Sequence, residues 1–210
     1  MDIVHFLENE IIDPATEVHY NYLTQVKTLA QIHDHEFYEM FLLVYGDAIH
    51  HVNGKTVGLQ EGSLVFMRPR DIHYYELTGE NTCGIINLAF PVRTFKALTD
   101  YLGEGFMPER LLGSELPPTV LLSKHDREEA AGRLESLNIL QRNDKQRIKT
   151  EVRILIMEFL TKYFPPARER RSERIPAWLE HLMAEMQKKE NFTAGLSAMH
   201  ALSGKSQGHL

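Results

Sequence analysis

The 210-residue sequence holds a single cysteine, Cys83, so no internal disulfide can form and a reducing compartment is indicated. It has no apolar run near the ~18 residues that a membrane span requires. The opening Met1-Asp2-Ile3-Val4-His5-Phe6-Leu7-Glu8 has neither the basic start nor the apolar core of a secretory signal. A nucleophile elbow, a glycine-rich phosphate loop and a zinc-ribbon cysteine pattern are all missing from the sequence. An excess of positive charge is also missing: the net charge of −6 argues against nucleic-acid binding over the whole surface. These absences point to a cytoplasmic protein with no membrane partner.

The composition that remains, 43% hydrophobic and 25% charged, is that of an ordinary folded chain. Its charge is unevenly placed. Residues 168–210 carry seven Lys/Arg against five Glu, whereas the rest carries 16 Lys/Arg against 24 Asp/Glu. An acidic body followed by a mildly basic tail suggests two jobs on one chain.

Residues 18–90 have the punctuation of strands. Gly46-Asp47 separates the apolar run 39–45 from 48–52, and Asn53-Gly54 is a two-residue hairpin signal, because both residues tolerate positive φ. Further turn signals precede runs at 63–67, 72–77 and 82–90. Many short strands of this kind make a small sandwich or barrel. Beyond Pro91 the period changes to that of helices, at 93–102, 126–140, 147–164 and 175–189. Residues 103–118, rich in Gly and Pro, connect two of them. In the helix at 147–164, Ile148, Val152, Leu155, Ile156, Phe159, Leu160 and Phe164 form one apolar stripe. That stripe suits either a dimer interface or packing on the chain's own barrel, and amphipathicity alone does not separate the two.

The chemistry concentrates in His33-x-His35-x-x-x-Glu39. Side chains alternate along a strand, so positions 33, 35 and 39 share a face, and in a barrel that face can be the interior. Two imidazoles and a carboxylate are a metal site short of one ligand, which His73 can supply from a later strand. The competing reading gives these residues direct hydrogen bonds to a bound small molecule. Phe37 and Tyr45 share the inward parity, along with Phe41 and Leu43. The adjacent His50 and His51 must face opposite sides, as must Tyr74 and Tyr75. Phe37, Tyr45, His51 and Tyr75 are the candidate ligand contacts, and Cys83 is read as a small buried apolar residue.

At the C-terminal end, Thr193 is placed to cap a helix that buries Leu196, Met199 and Leu202. Ser203-Gly204 then turns the chain into another helix at Lys205 or Ser206. A short helix, a glycine turn and a second helix follow helix-turn-helix grammar.

Two sets of residues carry a family resemblance. His33-x-His35-x-x-x-Glu39, with Gly46 after six further residues, resembles the first cupin motif, although Lys27 stands where the motif has its leading glycine. Gly62, Pro69 and His73 resemble the second motif. Its proline-to-histidine spacing is one residue short, and Asp71 replaces a glycine, as in sugar-responsive AraC-type regulators. Pro176-x-Trp178-Leu179, Asn191-Phe192-Thr193 and Ala201-Leu202-Ser203-x-Lys205-Ser206-Gln207-x-x-Leu210 resemble the start of the AraC-type DNA-binding module.

The resemblance implies a β plus α chain with three parts. A cupin sensor barrel (a double-stranded β-helix) occupies 1–112, a helical connector and possible dimerisation region 113–167, and a helix-turn-helix cut short 168–210. It implies a homodimeric, non-enzymatic transcription regulator of carbohydrate use. Such a regulator senses a sugar-like effector and holds at most one divalent Zn, Ni, Fe or Mn ion at His33, His35, Glu39 and His73. Lys205, Ser206, Gln207 and His209 would meet DNA in a longer form, with little or no DNA binding by these 210 residues. A metal-dependent cupin isomerase or dioxygenase with an unrelated helical tail is the alternative.

Overall fold

The computed structural model describes residues 3–26, 31–77, 82–140, 143–164 and 177–204. The chain divides into two compact units, Met1–Pro166 and Ala167–Leu210. No helix among the described residues is long and apolar enough to cross a membrane.

The first unit is a sandwich of two five-stranded sheets flanked by helices. One sheet contains β1 (Val4–Phe6), β3 (His33–His35), β5 (Ala48–Val52), β6 (Lys55–Leu59) and β8 (His73–Leu77), ordered β1-β3-β8-β5-β6. The other contains β2 (His19–Val26), β4 (Tyr38–Tyr45), β7 (Ser63–Met67), β9 (Cys83–Phe90) and β10 (Thr119–Leu121), ordered β10-β7-β4-β9-β2. Asn53 and Gly54 both take positive φ and turn β5 back antiparallel onto β6, as the sequence pair requires. Gly46 has a structural reason for its place in the motif. Its φ is +80°, and a Cβ there would lie 2.5 Å from the Thr82 carbonyl oxygen.

The second sheet is buried on both faces, which explains the nearly unbroken apolar run of β4. Tyr38, Met40 and Leu42 point outward with Ile86, Leu88 and Phe90 of β9 and Phe66 of β7. Helices α1 (Glu8–Ile11) and α3 (Glu109–Leu112) are single turns, and the longer α2 (Val92–Leu102), α4 (Lys124–Ile139) and α5 (Lys145–Tyr163) cover that side. Ser123 and Asp144 cap α4 and α5, each accepting a hydrogen bond from the backbone N–H three residues on. The α5 stripe is used inside the chain: Val152, Leu155, Ile156, Phe159 and Leu160 are each at most 1% exposed and belong to the core behind β4 and β9. Burying side chains of this size is worth about 1.5–3 kcal/mol each.

Glu17 ties the start of β2 to these helices. Its carboxylate receives Thr94 Oγ1 at 3.0 Å from α2, and Arg153 and Lys149 from α5 at 2.8 and 2.9 Å.

Among the described residues, the second unit holds α6 (Ala177–Met186), α7 (Lys189–Ala194) and α8 (Leu196–Ser203). Here the expected cap is corrected. Thr193 lies inside α7, where its hydroxyl donates back to the Lys189 carbonyl, and α8 starts after Gly195 at φ +60°. Leu196, expected in the core, is 74% exposed, while Met199 and Leu202 are half-buried. The turn at Ser203-Gly204 is present, with Gly204 in the left-handed region. Lys205, Ser206, Gln207 and His209 lie outside the described residues.

Candidate metal and effector site

The inner faces of the two sheets enclose a cavity of about 510 Å³. His33, His35, Phe37, Glu39, His73 and Tyr75 all line it. Their convergence has a different cause from simple strand parity. Six residues of straight strand would separate His33 from Glu39 by about 20 Å at ~3.3 Å each, too far for one site. Instead the chain bends at Glu36-Phe37: His33 and His35 lie in β3, Glu39 lies in β4, and the two strands belong to opposite sheets. Both inner faces look into the same space.

Three ligand atoms meet there. Nε2 of His35 is 3.4 Å from Oε2 of Glu39, and Nε2 of His73 is 3.7 Å from the same oxygen. All three residues are buried, and one ligand atom from each falls within 4.8 Å of the other two. None of these three atoms has a hydrogen-bond partner, which is costly for buried polar groups. Their other polar atoms are occupied. His35 Nδ1–H donates to the Phe37 carbonyl at 2.7 Å, so Nε2 carries the lone pair that faces the cluster. Asn87 Nδ2 donates to Glu39 Oε1, leaving Oε2 for the cluster. The set has the donor types, the burial and the orientation of a three-residue site for a divalent transition ion.

His33 stands beside this cluster and not in it. Its ring centroid is 4.2 Å from that of His73, and its Nδ1–H donates to the Gln31 carbonyl at 2.7 Å. It completes the wall, with Nε2 left to meet a bound molecule.

The electrostatics favour an ionised Glu39 beside a neutral His73, with His35 drawn toward its protonated form. Burial works to raise the Glu39 carboxyl, but His35, His73 and His33 together hold it down at about 2. Burial lowers His73 well below the usual imidazole range and lowers His50 to about 4. Burial also opposes charge on His35, yet the Glu39 carboxylate 3.4 Å away raises it.

Two expected ligand contacts are placed elsewhere. Tyr45 follows an irregularity in the β4–β9 register between Leu43 and Tyr45. The extra residue turns its ring away from the cavity and onto Gly84, where a Cβ would come within 2.2 Å of it. His51 lies on the outer side of β5, stacked on Tyr74 at 4.4 Å and paired with Glu76 at 3.0 Å. The inward residue of that pair is His50, 2% exposed and stacked on Tyr75 at 4.9 Å. Its signal was in the sequence: Ala48 and Val52, at the same parity, are apolar. Phe37 and Tyr75 do face the cavity, with Phe37 stacked on His35 at 4.6 Å. Asn21 and Asn87, cross-strand partners on β2 and β9, also line it. Isolated asparagines in strands carry no spacing signature, so nothing in the sequence singled them out. Cys83 is buried, 1% exposed, on the same wall.

Comparison with known proteins agrees with this architecture. A family model described as the AraC-like ligand binding domain matches residues 13–137, more than half of the chain. A 51-residue stretch is 39% identical to the HTH-type transcriptional activator RhaS of Escherichia coli O81 (strain ED1a), covering 24% of this chain but only 18% of that activator. Among solved structures, apo ToxT K231A from Vibrio cholerae strain SCE256 superposes at a TM-score of 0.54 and 10% identity, over 95% of this chain and 74% of that one. This is a likeness of fold. A Cupin 2 conserved barrel domain protein from Salinispora arenicola CNS-205 also aligns, at a TM-score of 0.34 and 14% identity, over 37% of this chain and 66% of that one.

Proposed function

The chain belongs to the family of AraC-like ligand-binding domains, and from that premise we propose that it is the sensing part of a ligand-responsive transcription regulator. The observation that carries this reading is the cavity between the two sheets with three converging, otherwise unpartnered ligand atoms at one side. Apolar walls with a few fixed polar groups are the usual form of a small-molecule site.

His35, Glu39 and His73 would hold one divalent transition ion (Zn, Ni, Fe or Mn), with His33 beside it. When bound, the ion supplies a Lewis-acidic centre for an oxygen of the effector. The surrounding residues act independently of that. Phe37 and Tyr75 give a ring of the effector flat apolar surfaces, and the asparagines give hydrogen bonds. The effector is sugar-like. The C-terminal segments around Trp178, Phe192 and Ser203 also resemble the regulator of a chitobiose-utilisation operon, which favours an amino-sugar disaccharide. DNA binding would belong to the unit that contains α6 to α8, and the regulator acts as a homodimer.

Effector binding would regulate only if two arrangements of the protein bind it with different affinity. The test is thermal-shift screening of the purified chain against mono- and disaccharides, with metal content measured alongside. A true effector at 100 times its dissociation constant stabilises by about 2.7 kcal/mol. Chemical turnover of a sugar or an oxidisable substrate, without a saturable shift, would favour the cupin-enzyme alternative instead.

A further inference from the structure

Arg70 stands in a backbone conformation that its side chain makes costly. It is the third residue of a turn closed by the Asp71 N–H, which donates to the Arg68 carbonyl at 3.1 Å, and its φ is +69°. Pro69 suits the second position of such a turn, but a third position at positive φ normally takes Gly or Asn. The turn is pinned from its other side, where the Arg70 N–H donates to the His35 carbonyl at 2.9 Å. Glycine would keep both bonds without the strain, so an arginine held here points to a use for its side chain. That side chain is exposed, and its guanidinium has no ion-pair or hydrogen-bond partner among the described residues.

Arg70 borders a polar groove of about 470 Å³ that shares no lining residue with the cavity between the sheets. The acceptors there are already filled. Oδ1 of Asp71 accepts from Arg68 Nη2 at 2.9 Å and Asn53 Nδ2 at 2.8 Å, and Oδ2 accepts from Arg68 Nε at 2.9 Å and the Arg68 backbone N–H at 3.0 Å. Asp71 therefore offsets the charge of Arg68 and has no acceptor capacity left. Ser114 is committed too, its hydroxyl donating to the Leu116 carbonyl at 2.8 Å. Tyr38 differs. Its ring packs on Phe66 and Phe95, and its hydroxyl has no hydrogen-bond partner among the described residues. Burial raises that phenol and the charge of Arg68 draws it down, so the hydroxyl lies on the Arg68 side of the groove.

The groove thus has one uncompensated positive charge, donors arriving from the turn and from β4, and no spare acceptor. An oxyanion matches that pattern. A phosphomonoester presents three oxygens in different directions and a charge of about −1.5 to −2 near neutral pH, whereas a carboxylate presents two oxygens in one plane. We propose that this groove is a second binding site, for the phosphate group of a small phosphomonoester, held by the Arg70 guanidinium and the Tyr38 hydroxyl. The proposal goes beyond the sensor reading and stands without it, because no residue of the cavity takes part.

The experiment is calorimetric titration of the full chain at low salt, with metal removed by chelation. Inorganic phosphate and ethyl phosphate are the probes, ethanol is the uncharged control and acetate the carboxylate control. Both phosphates should bind at one per chain, and both controls should not. Arg70→Gly should melt no lower than wild type, since it relieves the turn, yet bind phosphate tenfold or more weakly. Tyr38→Phe keeps the packed ring and should also lose roughly tenfold. His73→Ala, altered only in the cavity, should bind phosphate as the wild type does. Absence of phosphate binding overturns the proposal, as does acetate binding as tightly as phosphate. Unchanged phosphate affinity in Arg70→Gly overturns it, and a marked drop in that variant's melting temperature removes the strain on which it rests. Loss of phosphate binding in His73→Ala would place the anion in the cavity and overturn it as well.

Discussion

Nδ1 of His73 lies 3.4 Å from Nε2 of His50, both rings being almost fully buried. Burial keeps the pair neutral, so one ring nitrogen donates and the other accepts. If His73 donates from Nδ1, its Nε2 lone pair is directed at Glu39, and His50 becomes the group that sets the tautomer. Replacing His50 with Phe should then weaken zinc binding about 10- to 100-fold, the usual cost of losing such an orienting partner. His73→Ala or Glu39→Gln should lose it altogether. Competition with a chromophoric chelator measures both. Wild-type zinc affinity in the His50 variant would remove His50 from this role.

The loop that delivers His73 is held by a second buried pair. Asp71 accepts from Arg68 Nε at 2.9 Å and Nη2 at 2.9 Å, from the Arg68 backbone at 3.0 Å and from Asn53 at 2.8 Å. Arg68 also reaches the Leu112 carbonyl at 3.2 Å. Removing one partner leaves a buried charge uncompensated, so Asp71→Ala should cost about 3–5 kcal/mol in denaturant unfolding. A loss below 1 kcal/mol would show that the pair is dispensable. This is the physical use of the Asp71 that stands where metal-binding cupins carry glycine.

Phe159 is fully buried in the core behind β4 and β9. Its replacement by Ala should destabilise the first unit by about 3–5 kcal/mol. Because the contact is internal, the drop in melting temperature should be the same at low and high protein concentration. A loss that vanishes on dilution would instead place this stripe in a subunit interface.

Glu17 makes a pH-dependent contribution. Burial opposes its ionisation, but Lys149, Arg153 and Thr94 outweigh that and lower its folded pKa below the reference 4.5. Its stabilisation is therefore complete above about pH 5. It is lost as pH falls through the reference value and then the lowered one. The wild-type melting temperature should drop more steeply between pH 5 and pH 3 than that of Glu17→Gln, which is the less stable protein at pH 7. Parallel profiles would mean that the tie contributes nothing to this slope.

Gly46→Ala combines positive φ with a close approach to the Thr82 carbonyl. It should cost more than the ~1 kcal/mol typical of glycine replacement at a permissive site, as read by chemical denaturation. A neutral substitution would show that the turn relaxes freely.

The local grammar of this chain was already fixed by residue type. The Asn53-Gly54 hairpin, the change from a period of two to helical spacing after Pro91, and the inward parity of Phe41 and Leu43 all follow from short-range sterics and side-chain alternation. The residue types of His33, His35, Glu39 and His73 also marked them in advance as candidates for one polar site. What depended on distant parts of the chain was decided by tertiary structure. The bend at Glu36-Phe37 puts His35 and Glu39 in opposite sheets. The β4 irregularity turns Tyr45 outward, and the packing of α5 on its own barrel consumes the apolar stripe. Three ligand atoms meet and His33 stands aside because two sheets close over one space, and no strand read singly contains that distance. Asn87 became legible only there, since an asparagine gains a role when its amide finds Glu39 on one side and a cavity on the other.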